Sequence, residues 1–138
     1  MTRAVLDPIV RVAAAIRPGG TPSRCLVAYG EGLYELVVSP LLLAELRSVL
    51  RRKKFRPFLT LEQGERLVDA LERDARLADD PPESPALSRD PSDDYLIALA
   101  RSVGAHVLVS GVQDLLELDL ADLRVVSPRA FLDALPGA

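Results

Sequence analysis

Five dipeptides, each joining a helix-capping residue to proline, divide this chain into short segments. The residue before the proline can cap a helix, and proline fits the first helical turn because that turn needs no backbone N–H there. Three of the dipeptides directly follow a short apolar run, which indicates a strand that leads straight into a helix. The dipeptides are Asp7-Pro8, Thr21-Pro22, Ser39-Pro40, Asp90-Pro91 and Ser127-Pro128.

The apolar runs are short and rich in β-branched residues, and they lack alternating polar positions. Such runs suit a parallel sheet that is covered on both faces. We predict strands at residues 4–6, 34–38, 106–109 and 123–126, and helices at residues 8–16, 22–30, 40–53, 61–78, 91–103, 115–118 and 128–135. Thr60 and Gln63 form a capping box for the fourth helix, and Gly104 is a suitable stop for the fifth.

The resulting order, β-α-α-β-α-α-α-β-α-β-α, predicts a three-layer α/β fold. Its short, mostly parallel central sheet is flanked by helices and uses right-handed crossovers. With 138 residues, 49% of them hydrophobic, the chain is long enough to bury a core of its own. No composition shift or repeat divides it, so we predict one domain over residues 1–138.

Charge and composition narrow the function classes. The net charge is −3, so a surface for nucleic acid has to be local rather than global. Cys25 is the single cysteine, which excludes an internal disulfide and a cysteine metal cluster and fits a reducing cytoplasm. The N-terminal apolar run is too short for a signal peptide or a membrane span, so we expect a cytoplasmic protein without a membrane partner.

Four acidic residues lie where ligands bind in such folds. Asp7 and Asp114 follow apolar strand-like runs, Asp94 lies in the first turn of a helix, and Glu45 lies within or at the edge of a buried helix face. In open α/β sheets, ligands bind outside the carboxyl ends of the strands. Carboxylates gathered there repel one another unless they hold a hard cation, and such a cation can activate water against a phosphodiester.

Each acid also has a structural interpretation. Asp7 and Asp114 can cap the helices that follow them, and carboxylates in a first helical turn, such as Asp93 and Asp94, complement the helix dipole. Glu45 can form a salt bridge with an arginine such as Arg52. The functional interpretation rests on the coincidence of all four positions.

The order of these motifs resembles the PIN-domain family, in particular the VapC-like ribonucleases that serve as toxins of bacterial toxin–antitoxin pairs. The resemblance covers nearly the whole chain. It rests on the segments Val5-Leu6-Asp7, Glu35-Leu36-Val37-Val38-Ser39-Pro40 with Leu42-Leu43-Ala44-Glu45-Leu46, Arg89-Asp90-Pro91-Ser92-Asp93-Asp94-Tyr95-Leu96-Ile97-Ala98, Gly104 through Gly111 with Asp114-Leu115-Leu116, and Val125-Val126-Ser127-Pro128-Arg129-Ala130-Phe131-Leu132.

The resemblance implies an endoribonuclease dependent on Mg²⁺ or Mn²⁺. It implies that the cation and its water are held by Asp7, Glu45, Asp94 and Asp114, with Asp93 and Ser110 as accessory residues. The partners it implies are an RNA substrate, a cognate antitoxin protein and a second copy of the chain in a homodimer.

Two positions depart from the family pattern. The family usually has a small polar residue and then asparagine after its first aspartate, where this chain has Pro8 and Ile9, and it often has an acid where Val112 stands. These replacements favour a second hypothesis, a catalytically degenerate PIN module that binds RNA or a protein. A receiver-like phosphotransfer domain is disfavoured because no acid pair follows the first strand.

A basic segment follows Glu45 along the same helix. Its residues can form a solvated helix C-terminus that the helix dipole favours, or they can contact phosphates of RNA or an acidic partner. The sequence leaves both alternatives open. The basic segment consists of Arg47, Arg51, Arg52, Lys53, Lys54 and Arg56.

Overall fold

A computed structural model describes residues 1–84, 86–87 and 93–137. Its centre is a five-stranded parallel sheet with the strand order β3-β2-β1-β4-β5. The strands are β1 (Arg3–Leu6), β2 (Glu35–Val38), β3 (Arg76–Leu77), β4 (Val107–Val109) and β5 (Arg124–Val126). The helices are α1 (Pro8–Ile16), α2 (Thr21–Gly30), α3 (Pro40–Leu50), α4 (Leu61–Asp74), α5 (Asp94–Ser102), α6 (Gln113–Leu116) and α7 (Pro128–Ala134), with a 3₁₀ turn at Lys53–Phe55.

The central strand β1 decides where the functional end of the sheet lies. Val5 of β1 pairs with Val37 of β2 on one side and with Leu108 of β4 on the other. The chain builds β2 and β3 on the first side and then returns to build β4 and β5 on the second. The strand order therefore reverses between β1 and β4, and crevices that bind ligands form at the carboxyl ends of such strands.

Helices cover the sheet and bury its strands. Val5, Leu36 and Leu108 are each at most 1% exposed, so side chains on both faces of the sheet need apolar cover. Helix α5 packs directly on β1 and β4, whereas α1 packs against α2 and α3, and α3 packs against α4. This arrangement confirms the predicted α/β fold with a parallel sheet flanked by helices.

The predicted caps explain why most helices begin where they do. The hydroxyl of Ser39 accepts the N–H of Leu42 at 3.2 Å, and both hydrogen bonds of the predicted Thr60–Gln63 capping box are present. Gly104 follows α5 at a φ of +64°, a left-handed conformation that favours glycine, and confirms the predicted stop.

The prediction missed strand β3 and placed the ends of two helices three or four residues too far along the chain. The fourth helix is predicted to reach residue 78, but it ends at Asp74, and Arg76–Leu77 pairs with Val37 and Val38 of β2. Both β3 residues are exposed, so no burial pattern marks this strand in the sequence. The third helix ends at Leu50 rather than at residue 53, and the chain continues into the 3₁₀ turn.

Two proline-containing helix starts have different outcomes. Thr21 is the first residue of α2 and not its cap, because Gly20 occupies the cap position without a side-chain hydrogen bond. The predicted start at Asp90-Pro91 lies outside the described residues, and the described part of this helix is Asp94–Ser102. Within the described ranges, no helix is long and apolar enough to cross a membrane.

A basic side chain of α1 lies in the core. Arg11 of α1 is fully buried, and its three guanidinium nitrogens make no hydrogen bond to any residue that the structure describes. Burial lowers the pKa of Arg11 to about 10, while the nearby hydroxyls of Tyr34, Tyr29 and Tyr95 oppose that shift. A buried charge without a partner is costly, so this arginine opposes folding.

We therefore predict that Arg11→Met stabilises the protein. Replacing buried ionic groups by apolar residues of similar volume often stabilises a protein by about 1–4 kcal/mol, so thermal denaturation should show a higher Tm. Arg17→Met is the matched control, because Arg17 follows the same helix and is exposed. A large decrease in Tm for Arg11→Met alone would show that buried water or another group hydrogen-bonds the guanidinium.

Candidate active site

Asp7 connects the central strand to the first helix and forms the base of the site. It directly follows β1, and its side chain is 3% exposed. One carboxylate oxygen accepts the backbone N–H of Ile9 at 2.9 Å, which makes Asp7 the cap of α1, as its structural interpretation predicted. The other oxygen accepts the hydroxyl of Ser110 at 2.9 Å.

Ser110 extends this network to the loop after β4. Its hydroxyl donates to Asp7 and accepts the backbone N–H of Val112 at 3.0 Å. The backbone N–H of Asp7 also donates to the carbonyl of Val109 at 2.9 Å. The ends of β1 and β4 are thus joined through both main chain and side chains, so the carboxylate of Asp7 has a fixed orientation.

Burial dominates the electrostatics of Asp7. Desolvation raises the pKa of its carboxyl above the usual range, and the hydrogen bonds from Ile9 and Ser110 oppose that shift. Each carboxylate oxygen can accept more than one hydrogen bond or ligand, so Asp7 retains capacity to bind a cation. A positive charge beside it would favour its ionised form.

Glu45 has a different partner from the one the salt-bridge alternative predicted. Its carboxylate accepts a hydrogen bond from the hydroxyl of Tyr95 on α5. Burial raises the pKa of Tyr95. The negative charges of three nearby acids, Glu45, Asp7 and Asp80, raise it further. Tyr95 therefore lies among acids that come from three separate parts of the chain.

The remaining predicted acids occupy the starts of two helices. Asp94 is the first residue of α5 and is 3% exposed, whereas Asp93 before it is partly exposed. Asp114 lies in the first turn of α6 and is partly exposed. All three have interactions within the protein.

Two residues at this end of the sheet were missed as candidates in the sequence. Tyr95 follows Asp94 in an apolar run, and nothing local indicates a contact with a helix fifty positions away. Asp80 follows the strand that the prediction missed. One of its oxygens accepts the N–H of Leu41 at 2.9 Å, and the other is buried without a partner among the described residues.

The donor set has the chemistry of a site for a hard cation. Its potential ligands are carboxylate oxygens, and the orphaned oxygen of Asp80 adds an acceptor near Tyr95. Among the described residues, however, no three His, Cys, Asp or Glu side chains are grouped closely enough to hold a metal. Mg²⁺ usually keeps several waters and uses one or two carboxylates together with substrate phosphate, so the residues present fit it.

The structure divides the basic segment into two parts. Arg47 and Arg51 donate to the two carboxylate oxygens of Glu65 on α4, each at 2.9 Å. Arg56 donates to the carbonyls of Leu50 and Arg52, which closes the end of α3. The segment's remaining cations are exposed and, within the described part of the chain, form no ion pair; they are Arg52, Lys53 and Lys54.

His106 has a structural role. Its Nδ1 accepts the backbone N–H of Arg3 at 2.9 Å, at the opposite end of the sheet from the acids. This contact joins the start of β1 to the residue before β4.

Comparison with known proteins gives a family and a fold. No curated protein matches the sequence. A crystal structure of VapBC2 from Rickettsia felis, bound to a DNA fragment from their promoter, has a similar fold with a TM-score of 0.64. The two chains are 16% identical, and the alignment covers 91% of this chain and 98% of the other.

A family model described as the PIN domain matches residues 3–113, which span the acids from Asp7 to Asp94 and four of the five strands. The matched region is well over half of the chain, and the parallel sheet flanked by helices agrees with the predicted PIN-like architecture. This protein therefore belongs to the PIN domain family.

Proposed function

We propose that this protein is a metal-dependent endoribonuclease and the toxin of a toxin–antitoxin pair. The observation that carries the proposal is the buried carboxylate of Asp7, held by Ser110 at the point where the strand order reverses. PIN domains are in general nucleases, and the structurally similar VapBC2 is a toxin–antitoxin complex. An antitoxin protein is the partner that we propose by analogy.

In the proposed reaction, Asp7 and Asp94 would hold Mg²⁺ or Mn²⁺ directly, and Glu45 and Asp114 would hold it through its waters. When bound, such a cation lowers the pKa of its water and stabilises negative charge on phosphate. The chain's own part is orientation: Ile9 and Ser110 fix Asp7, and Tyr95 fixes Glu45. In this proposal, Glu45 would take the proton from the water that attacks phosphorus.

The exposed cations of the basic segment supply a second contact with RNA in this proposal. Arg52 lies two residues beyond the last residue of α3, the helix that carries Glu45. Exposed arginine and lysine side chains bind phosphates without reading sequence. They fit a short RNA segment whose backbone extends past the acidic site.

The catalytically degenerate module remains a second candidate. It is favoured by the lack of a group of three metal-binding side chains in the described part of the chain and by Ile9 and Val112. The two departures do not remove the local support of Asp7, however. The backbone N–H of Ile9 binds Asp7 directly, and that of Val112 binds it through Ser110.

The direct test is cleavage of a mixed RNA pool with Mn²⁺, with Mg²⁺ and with EDTA. We predict cleavage that requires the cation and that Asp94→Asn reduces by more than about 100-fold, the upper end of losses seen for residues that only support a metal ligand. Asp93→Asn is the matched control, because neighbouring helix positions point about 100° apart. Asp93 is also the more exposed of the two.

Equal losses in the two variants would show that the assignment of the ligand to Asp94 is wrong. If the wild-type protein cleaves no RNA with either cation, the binding-module candidate replaces the nuclease.

The raised pKa of Asp7 generates a prediction about stability. A raised pKa in the folded state means that stability is complete below the pKa of the unfolded chain, about 3.9, and falls as pH rises through the folded value. At pH 7 without metal, Asp7→Asn should therefore raise the Tm. The gain should shrink as the pH approaches 4.

Melting curves of metal-free protein at several pH values test this sign. The control is Asp133→Asn, which changes an exposed acid on α7 and should leave the Tm nearly unchanged. Mn²⁺ should stabilise the wild type more than Asp7→Asn. A lower Tm for Asp7→Asn at pH 7 would contradict the assigned cost of burying this charge.

The departure at position 9 gives a further prediction. The side chain of Ile9 is 45% exposed, so Ile9→Asn adds a polar group next to Asp7 without burying it. Polar residues that support metal ligands typically contribute about 10–100-fold to affinity or activity, and we expect a faster cleavage rate in that range. An unchanged rate in a variant with normal Mn²⁺ binding would show that Ile9 does not limit activity.

A further inference from the structure

Tyr95 connects two elements of the site that the sequence separates widely. Its hydroxyl, on the first turn of α5, donates a hydrogen bond to the carboxylate of Glu45 in the middle of α3. No other hydrogen bond or ion pair reaches Glu45 from the residues that the structure describes. The orientation of this carboxylate therefore depends on a single phenol.

The hydroxyl of Tyr95 reaches Glu45 as an uncharged donor, since a phenol can donate a hydrogen bond to a carboxylate. The contact holds Glu45 in place without adding positive charge that would compete with a cation for the acids.

A role in folding alone explains this contact less well. Tyr34 shows the purely structural case, because its hydroxyl is buried and donates to the backbone carbonyl of Cys25. Tyr95 instead donates to an ionisable side chain at the carboxyl end of the sheet, next in sequence to the buried Asp94. A glutamate has several rotatable bonds, and fixing it in advance removes an entropic cost from each catalytic cycle.

We propose that Tyr95 is a positioning residue, whose hydroxyl fixes the Glu45 carboxylate for its role in RNA hydrolysis. The inference rests on the proposed function, because it assigns Glu45 a role in that reaction. It adds a residue that is not an acid to the predicted site.

The test is Tyr95→Phe, which removes the hydroxyl and keeps the ring. We expect kcat for RNA cleavage to fall about 10–100-fold, as for other residues that orient metal-site groups, and KM to stay within about twofold. Tyr29→Phe is the matched control, since its exposed hydroxyl donates to the backbone carbonyl of Asp74 at 2.9 Å, and it should keep normal kcat. A purely structural role for Tyr95 would lower Tm without this selective loss in kcat.

Coupling between the two residues tests the route of the effect. If Tyr95 acts through Glu45, the double variant Tyr95→Phe with Glu45→Gln should be no slower than Glu45→Gln alone. Full additivity of the two losses would overturn the inference. The inference would also be overturned if Tyr95→Phe had normal kcat while Glu45→Gln was inactive. That result would leave the proposed nuclease function intact.

Mn²⁺ titration separates failure of the inference from failure of the proposed function. If wild-type protein cleaves no RNA, the nuclease proposal fails, and Mn²⁺ affinity then decides about Tyr95. An Mn²⁺ affinity about 10-fold weaker in Tyr95→Phe than in Tyr29→Phe would support the positioning role. Equal affinities, or no Mn²⁺ binding by the wild type, would overturn it.

Discussion

The buried carboxylate of Asp7 is the interaction on which the site depends. It ends the central strand, caps the first helix through Ile9 and accepts the hydroxyl of Ser110 from the neighbouring strand end. Each of these contacts offsets part of the cost of burying a charge, and the contact with Ser110 joins the ends of β1 and β4. A divalent cation would remove the remaining cost. In this account, stability and chemistry therefore compete at one residue.

Local signals allowed much of the fold to be predicted from the sequence. The pair Asp7-Pro8 marks the end of β1 and the start of α1, and the observed α1 has the predicted bounds. Strand β3 could not be found because its two residues are exposed and gain their conformation from pairing with β2. The site shows the same contrast between local signals and tertiary contacts. Its four acids lie in motifs that the sequence alone reveals. The contact of Tyr95 with Glu45 depends on tertiary packing that local sequence does not encode.

The departures from the family pattern affect side chains more than the backbone. At positions 9 and 112, the main-chain N–H groups still support Asp7, one directly and one through Ser110. What Ile9 and Val112 lack is a polar side chain that could bind water or a cation. A PIN domain altered in this way keeps the geometry of its first acid and loses part of the polar shell around it. We therefore expect weak but real cleavage, stronger with Mn²⁺ than with Mg²⁺.

The location of a bound cation tests the central claim most directly. Crystals of the protein soaked in Mn²⁺ would show the ion by its anomalous scattering. If Asp7 and Asp94 hold the ion, one strong peak should lie within coordination distance of both, at the carboxyl ends of β1 and β4. A peak only at exposed acids elsewhere, or no peak at millimolar Mn²⁺, would contradict the claim.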